Sequence, residues 1–198
     1  MINLHLGCGK LKLDNFINVD IISKVADMKL DINDLSVFNN NTVDQIYICH
    51  VLEHISRNQI LNLFLEWNRV LKDGGKLRLA VPDFEKVVKI YMKNKDMSEI
   101  IGFLNGGQRN KYDIHFINFD FDILTILLDS CGFKFIEKYD PFEFLGDKDD
   151  YSKSFLPHMD FENGELMSLN LICTKSKDVN INNIVIPPRL AKYLKIEN

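Results

Sequence analysis

The stretch Asn3-Leu4-His5-Leu6-Gly7-Cys8-Gly9, together with Asn18-Val19-Asp20 downstream, decides the fold of this chain. It joins an apolar strand that runs into a Gly-x-Gly turn to a second strand that ends in an acid. Glycine tolerates positive φ and has no Cβ, so the turn lets backbone amides approach a ligand closely. A carboxylate at the end of the next strand can accept hydrogen bonds from both hydroxyls of a ribose. The stretch predicts a nucleotide-type site at the carboxyl edge of a doubly wound α/β sheet, although the turn alone also fits an ordinary strand-to-loop connection.

The connection between the turn and the second strand is short. About ten residues follow Gly9 before the strand that ends at Asp20, whereas a crossover connection needs about a dozen or more. The third glycine of G-x-G-x-x-G is also missing, since the chain has Leu11 after Gly9. A dinucleotide binds its pyrophosphate at the start of that crossover helix. The sequence therefore predicts a first crossover helix that is shortened or missing, and a cofactor without phosphates.

Short β-rich runs alternate with helical patterns along the chain, which indicates a parallel sheet with crossover helices. Strands are predicted near Asn3–Leu6, Phe16–Val19, Ala26–Leu30, Val43–Cys49, Lys76–Val81, Phe133–Tyr139 and Ser168–Thr174. Helices are predicted over Asn58–Leu71, from Asp83 onward, over Phe121–Ser130 and over Arg189–Leu194. We expect one domain over residues 1–175, with insertions near 102–120 and 140–165 that are long enough to have binding roles, and a tail over 176–198.

Bulk composition restricts the function classes. The chain has 198 residues, 46% of them hydrophobic and 26% charged, which suits one globular domain. Its net charge of -4 provides no general attraction for nucleic acid. The apolar runs are strand-length, the N-terminus lacks a signal-peptide pattern, and the four cysteines lie far apart. We expect a cytoplasmic protein with reduced thiols, a monomer or homodimer, with no membrane insertion.

The segment His50-Val51-Leu52-Glu53-His54 admits two interpretations. As H-x-x-E-H it matches the inverted zinc-peptidase motif, which requires a helix and a third ligand from a later helix. Here, however, His50 directly ends a predicted strand. We therefore expect His50 and Leu52 to pack against the bound cofactor, while Glu53 and His54 begin a helix or hold the loop, and we predict no metal site.

Five short segments in this order resemble class I S-adenosylmethionine-dependent methyltransferases, most of all the small predicted methyltransferases of bacterial surface-polysaccharide gene clusters. They are His5-Leu6-Gly7-Cys8-Gly9, Asn18-Val19-Asp20, His50-Val51-Leu52-Glu53-His54, Arg69-Val70-Leu71-Lys72-Asp73-Gly74-Gly75 and Val81-Pro82-Asp83. The resemblance implies a Rossmann-like sheet of seven strands with the last antiparallel, and S-adenosyl-L-methionine as cofactor at the carboxyl edge.

The resemblance also implies roles for individual residues. Gly7, Cys8 and Gly9 would line the methionine part of the cofactor, Asp20 would bind the ribose, Asp31 and Ile32 the adenine, and His50 with Leu52 would close the pocket. Leu6 and Ile21 complete the set of cofactor-binding residues. The chain departs from the family at His5, where many members have an acid, and at Leu11, where they have a third glycine.

Methyl transfer to a hydroxyl requires alignment and removal of a proton. His115, in the first insertion, has an ordinary pKa suited to that task, but it also fits a loop-packing histidine. Asp83 and His158 are further candidates, and Asp83 equally fits a helix cap. Arg109, Lys111 and Tyr112 are suited to an anionic or sugar group. No cluster of acids is spaced for Mg²⁺.

The predicted function is methyl transfer to a small acceptor, an oxygen of a sugar or phosphorylated precursor of a surface polysaccharide. The alternatives are a protein of the same fold that binds the cofactor without catalysis, and a zinc hydrolase built on His50 and His54. No nucleic-acid partner is expected, because the chain has no basic patch and no aromatic-basic segment.

Overall fold

A six-stranded sheet forms the centre of the computed structural model, which describes residues 1–158, 160–180, 182 and 184–194. The strands in the order β2-β1-β3-β4-β8-β5 are β2 (Ile17–Val19), β1 (Asn3–Leu6), β3 (Val43–Cys49), β4 (Leu71–Pro82), β8 (Ser168–Lys175) and β5 (Phe133–Lys138). The first four are parallel, and β8 pairs antiparallel with both β4 and β5. The predicted α/β fold with an antiparallel last strand is confirmed.

The third predicted strand is reduced to one bridge. Of the segment Ala26–Leu30, only Met28 pairs with the sheet, in a parallel bridge with Val19, so the sheet has six strands and the predicted number of seven is wrong. The reason lies in Asp27, whose Oδ2 accepts hydrogen bonds from the backbone and side-chain N–H groups of Asn18. A side chain thus occupies donors that a continuous ladder would use.

The first crossover contains no helix. Between Gly7 and Phe16 the chain forms turns and irregular structure, so the first crossover helix, which the sequence predicts to be shortened or missing, is missing. The side chain of Asn18 holds this segment instead, since its Oδ1 accepts from the N–H of Leu13 and its Nδ2 donates to the carbonyls of Leu13 and Phe16. These bonds satisfy backbone groups that a helix would have paired internally.

The helices are α1 (Ile60–Val70), α2 (Phe84–Asn94), α3 (Ile101–Asn105), α4 (Phe121–Ser130), α5 (Pro141–Leu145) and α6 (Pro188–Leu194). The predicted helices, α1, α2, α4 and α6 in the structure, begin and end near their predicted limits, whereas α3 and α5 lie at the predicted insertions and were not predicted. The carboxylate of Asp83 caps α2 by accepting from the N–H groups of Glu85 and Lys86, and Asp120 caps α4 in the same way. Short 3₁₀ turns cover Leu52–His54, Arg57–Gln59 and Tyr151–Lys153, and a two-stranded hairpin pairs β6 (Phe155–Leu156) with β7 (Glu165–Leu166).

One face of the sheet, here called the helix face, is packed with aliphatic side chains. From β1, β3 and β4 it receives Leu4, Leu6, Val43, Ile46, Ile48, Leu77, Leu79 and Val81. Helices α1 and α4 cover it with side chains that include Trp67 and Leu127. The described part of the tail joins the same cluster, with Leu194 fully buried. The helix face is therefore the main hydrophobic core.

The opposite face, here called the insertion face, is polar and aromatic. It is covered by residues 140–153, which contain α5 and a 3₁₀ turn and belong to the second predicted insertion. The hydroxyl of Tyr47 donates to Asp150 Oδ2 at 2.6 Å, and the Arg78 guanidinium lies 4.7 Å from the centre of the Phe144 ring. Asn170 Nδ2 donates to the carbonyl of Ser152. The insertion thus occupies a face that crossover helices would cover in a fully doubly wound sheet.

Within the described ranges, no helix has the length and apolar character needed to cross a bilayer.

Candidate cofactor and acceptor site

The carboxyl edge of the sheet brings four predicted site residues to neighbouring strand ends. Gly7 follows β1, Asp20 follows β2, His50 follows β3 and Asp83 follows β4. Because these strands are parallel and adjacent in the order β2-β1-β3-β4, their carboxyl ends share one edge. The edge that the glycine turn predicts is therefore present.

The glycine turn has the backbone geometry that its sequence predicts. Gly7 has φ +67° and Gly9 has φ +55°. A Cβ on Gly7 would lie 2.3 Å from Cγ2 of Val51, whereas a Cβ on Gly9 would meet open space. Gly7 is thus required for packing between β1 and the segment after β3, and Gly9 borders free volume. Cys8 between them is buried, and its N–H donates to the carbonyl of Val19.

The Asp20 carboxylate links the two strand ends. Its Oδ2 accepts from the Gly9 N–H at 2.9 Å, and its Oδ1 accepts from the N–H groups of Ile22 and Ser23 at 2.8 and 2.7 Å. A carboxylate offers about four acceptor positions. Three of these positions are used by backbone N–H groups, and one, on Oδ2, is free of hydrogen bonds from the described residues.

The predicted adenine side is partly open. Asp31 is exposed, and its Oδ1 accepts from the backbone and side chain of Asn33. No hydrogen bond within the described part of the chain uses its Oδ2. Ile21 is exposed beside Asp20. Ile32 is buried, and its carbonyl accepts from the Trp67 indole.

Other predicted residues lie in the core. The side chains of Leu6 and Leu52 are fully buried in the main cluster, so any contact they make with a cofactor is through the backbone. His5, at the position where the family has an acid, is also buried; its Nδ1 lies 3.1 Å from Asn18 Oδ1 and its ring lies 5.2 Å from that of Tyr47. Burial lowers the pKa of His5.

His50 is held in an unusual backbone conformation, with φ +50°. Its Nε2 lies 3.0 Å from Ser168 Oγ, and its ring lies 5.5 Å from that of Tyr151. Burial lowers the pKa of His50 to about 3, so the imidazole is neutral. A strained, partly buried histidine at the end of a central strand is typical of functional sites.

Glu53, His54 and His115 form a cluster next to His50. Glu53 is 1% exposed, and its Oε1 lies 3.3 Å from His50 Nδ1 and 4.0 Å from His115 Nε2. The contact with His50 lies within ion-pair distance but lacks hydrogen-bond alignment, and both carboxylate oxygens have no hydrogen-bond partner among the described residues. Burial raises the pKa of Glu53 to about 8. The rings of His54 and His115 meet edge to face, 4.7 Å apart.

The first insertion supplies His115 to this cluster. The N–H of Phe116 donates to the Glu53 carbonyl at 2.8 Å, which fixes the loop against the 3₁₀ turn after β3. His115 Nδ1 lies 2.8 Å from the Phe103 carbonyl and His54 Nδ1 lies 3.1 Å from the Ile114 carbonyl. A ring nitrogen beside a carbonyl carries the proton, so the Nε2 atoms of both histidines keep their lone pairs. Burial lowers the pKa of each histidine.

The other two catalytic candidates lie apart from this cluster. Asp83 caps α2, and burial raises the pKa of its carboxyl. His158 is exposed in the loop of the β6–β7 hairpin. An open depression of about 560 Å³ adjoins Asp83, lined by Phe84, Glu85, Val88, Asp120, Phe121, Asp122 and Lys138. No predicted cofactor residue lines it.

The geometry that the zinc-peptidase alternative needs is not formed. His50 ends β3 and only Leu52–His54 forms a 3₁₀ turn, so the two histidines are not one α-helical turn apart on a helix face. The sequence predicted Glu53 only as the base of the zinc-peptidase alternative or as a residue that begins a helix or holds the loop, and it did not predict Tyr151 or Ser168 beside His50. The acid of the H-x-x-E-H motif is the sequence signal that points to Glu53. No pattern in the local sequence indicates that Tyr151 or Ser168 lies beside His50.

The N-terminal part of the chain matches a known family, and most of the chain resembles solved structures. Residues 4–79 match a family model described as a methyltransferase domain. Similar solved structures include a SAM-dependent methyltransferase from Methanosarcina mazei, with 17% identity over 88% of this chain and 92% of that chain and a TM-score of 0.56. Another is a SAM-dependent methyltransferase from Archaeoglobus fulgidus, with 15% identity over 87% and 85% of the two chains and a TM-score of 0.54.

A third similar structure is that of a possible histamine N-methyltransferase from Thermotoga maritima, with 17% identity over 89% of this chain and 82% of that chain and a TM-score of 0.52. No curated protein matches the chain in sequence. At these identities the solved structures establish the fold. The family match spans β1 to most of β4.

Proposed function

We propose that this protein is an S-adenosylmethionine-dependent methyltransferase that methylates an oxygen of a small cytoplasmic acceptor, a sugar or phosphorylated precursor of a surface polysaccharide. The observation that supports it most is the bond from Gly9 N–H to Asp20 Oδ2 at 2.9 Å. This bond joins the glycine turn to the acid at the carboxyl edge, within the segment that matches the methyltransferase family model.

The residues at this edge fit the cofactor. Gly9 borders open space, Asp20 keeps one acceptor position for a ribose hydroxyl, and Asp31 is exposed on the adenine side. When bound, S-adenosylmethionine supplies an electrophilic methyl group. The chain contributes alignment, since Gly7 and Gly9 set the backbone and Asp20 orients the ribose.

His115 is the predicted catalytic residue that fits the acceptor side best. It lies near the carboxyl end of β3. The loop that contains it is held there by the hydrogen bond from the Phe116 N–H to the Glu53 carbonyl. Exposed Arg109 and Tyr112 belong to the same insertion and suit a sugar or anionic acceptor. The polysaccharide assignment itself rests on the family resemblance.

Calorimetry with S-adenosylmethionine and with its demethylated product tests the cofactor assignment. We expect binding by the native chain and at least about tenfold weaker binding by Gly9→Ala, because the new methyl group enters the space beside the turn; a factor of ten is about 1.4 kcal/mol. Gly74→Ala is the matched control, since Gly74 also has positive φ and open surroundings but lies in the irregular stretch between Leu71 and Lys76, at the start of β4. Absence of binding at millimolar ligand would refute the proposal.

Turnover assays separate catalysis from binding alone. Methyl transfer from labelled cofactor is measured against a panel of sugar nucleotides and sugar phosphates. We expect His115→Ala to keep cofactor affinity and lose transfer. Cofactor binding without transfer to any hydroxyl acceptor would instead favour the non-catalytic alternative.

A further inference from the structure

Three side chains around the 3₁₀ turn after β3 form a convergent donor set. One ligand atom from each of Glu53, His54 and His115 lies within 4.8 Å of the other two. His50, the first histidine of the H-x-x-E-H segment, contacts Glu53 and is not in the set. The donors are therefore the last two residues of that segment and a histidine contributed by the first insertion.

The two histidines are already oriented as ligands. Each donates its Nδ1–H to a backbone carbonyl, His54 to Ile114 and His115 to Phe103, and each therefore presents an Nε2 lone pair. Metal-binding histidines almost always have this arrangement, in which the second ring nitrogen is held by a carbonyl or carboxylate. The carbonyls come from the first insertion and the end of α3, so folding of that insertion sets both rings.

The Glu53 side chain has no hydrogen-bond partner among the described residues, and His50 Nδ1 lies 3.3 Å from its Oε1 without hydrogen-bond alignment. Both carboxylate oxygens of Glu53 are buried. A buried carboxyl group left without partners costs free energy, and such groups in native proteins are usually paired or coordinate a metal. A bound cation would supply the missing partner, and neither His54 nor His115 offers an N–H to it, because their protons point to the carbonyls.

We propose that Glu53, His54 and His115 bind a divalent transition-metal ion of the Zn²⁺ type. Two imidazoles and one carboxylate are the ligands that Zn²⁺ takes in catalytic sites, and they suit Mg²⁺ and Ca²⁺ poorly because those ions prefer oxygen. Three protein ligands leave one tetrahedral position for water or for the hydroxyl of an acceptor. The site differs from the zinc-peptidase alternative, since His115 replaces His50 and no helix is involved.

The required movement is small. With metal–ligand bonds of about 2.0–2.2 Å, tetrahedral donor atoms lie about 3.3–3.6 Å apart. The Glu53–His115 pair is already at 4.0 Å, and His54 is partly exposed, which provides both room to rotate and a path for the ion. Coordination would make His115 a ligand in place of the base predicted from sequence. This link to methyl transfer, unlike the metal site itself, rests on the proposed function.

The test measures metal without the cofactor. Purified protein is stripped with chelator and titrated with Zn²⁺ by equilibrium dialysis, and with Co²⁺, whose visible absorption reports a four-coordinate site. We expect one equivalent bound, and at least about 100-fold weaker binding after Glu53→Gln or His54→Ala, since loss of an outer-shell partner alone costs 10–100-fold. His158→Ala, which removes an exposed histidine outside the set, should bind normally.

The outcomes are separable from those of cofactor binding. His54 is partly exposed, so His54→Ala should fold even if Glu53→Gln does not, and thermal unfolding verifies each variant. Equal metal binding by native protein, His54→Ala and Glu53→Gln would overturn the site, as would no stoichiometric binding. Calorimetry with S-adenosylmethionine is then run on the metal-free protein: cofactor binding without metal binding refutes only this inference, and metal binding without cofactor binding refutes only the proposed function.

Discussion

The two faces of the central sheet are specified in different ways. On the helix face, alternate residues of the strands are Leu, Ile and Val, and helices α1 and α4 cover them. On the insertion face, the intervening residues include His5, Tyr47 and Arg78, and residues 140–153 cover them through hydrogen bonds and aromatic contacts. Nondirectional apolar burial tolerates many partners, whereas a polar face requires particular ones. Residues 140–153 therefore take the place of crossover helices on the insertion face, where hydrogen bonds and aromatic contacts hold them.

The largest effect is expected on the helix face. Trp67→Ala removes a fully buried ring that packs against Phe64 and donates to the Ile32 carbonyl. The cavity should lower the free energy of unfolding by about 3–5 kcal/mol, as measured by urea denaturation. A loss below about 1 kcal/mol would show that the helix face does not dominate stability.

A smaller effect is expected on the insertion face. Tyr47→Phe removes the hydroxyl that donates to Asp150 and should cost about 1.5–3 kcal/mol, because the acceptor is charged. Asp150→Asn, which keeps the cap on the 3₁₀ turn, completes a double-mutant cycle. Strictly additive losses in the double variant would mean that this bond does not hold the insertion on the sheet.

The insertion face should also respond to pH. Burial lowers the pKa of His5, opposed by the hydrogen bond to Asn18 and by Asp150 and Asp20. Below the ordinary pKa of about 6.5, His5 binds a proton in the unfolded chain but not in the native one. The free energy of unfolding therefore decreases as the pH is lowered, by up to about 1.4 kcal/mol per pH unit.

His5→Gln should remove this share of the pH dependence. Urea midpoints of both proteins between about pH 7.5 and 5.5 measure it, and His50, whose pKa is also lowered, contributes equally to each. Parallel curves would show that His5 is not a buried neutral group.

The smallest effect is expected at the edge strand β5, away from both packed faces. Phe135 has φ +53° and is 81% exposed, so its side chain packs little and its backbone is strained. Phe135→Asn should stabilise the fold by up to about 1 kcal/mol, because Asn tolerates the left-handed region. Phe135→Ala loses the same ring but keeps the strain. Equal melting temperatures for the two variants would contradict this explanation.

The sequence predicted the helix face well because its pattern is local. The limits of β1, β3 and α4 agree with prediction. The apolar periodicity that indicates each element lies within its own segment, and Asp120, which caps α4, directly precedes that helix. The predicted strand over Ala26–Leu30 failed because Asp27 bonds to Asn18, a contact that no local pattern indicates. For the site, the edge and its glycine turn were predicted, while the hydrogen bonds from the N–H groups of Ile22 and Ser23 to Asp20 were not.

The sequence by itself determined strands β1, β3 and β4, helices α1, α2 and α4, the glycine turn and the acid that follows β2. Those features depend on neighbours within a few residues, where side-chain period and backbone freedom act directly. The tertiary structure alone decided that residues 140–153 cover one sheet face, and that His115 meets Glu53 and His54. Such contacts join segments far apart in the chain, and their choice depends on the packing of the whole sheet, which local periodicity does not encode.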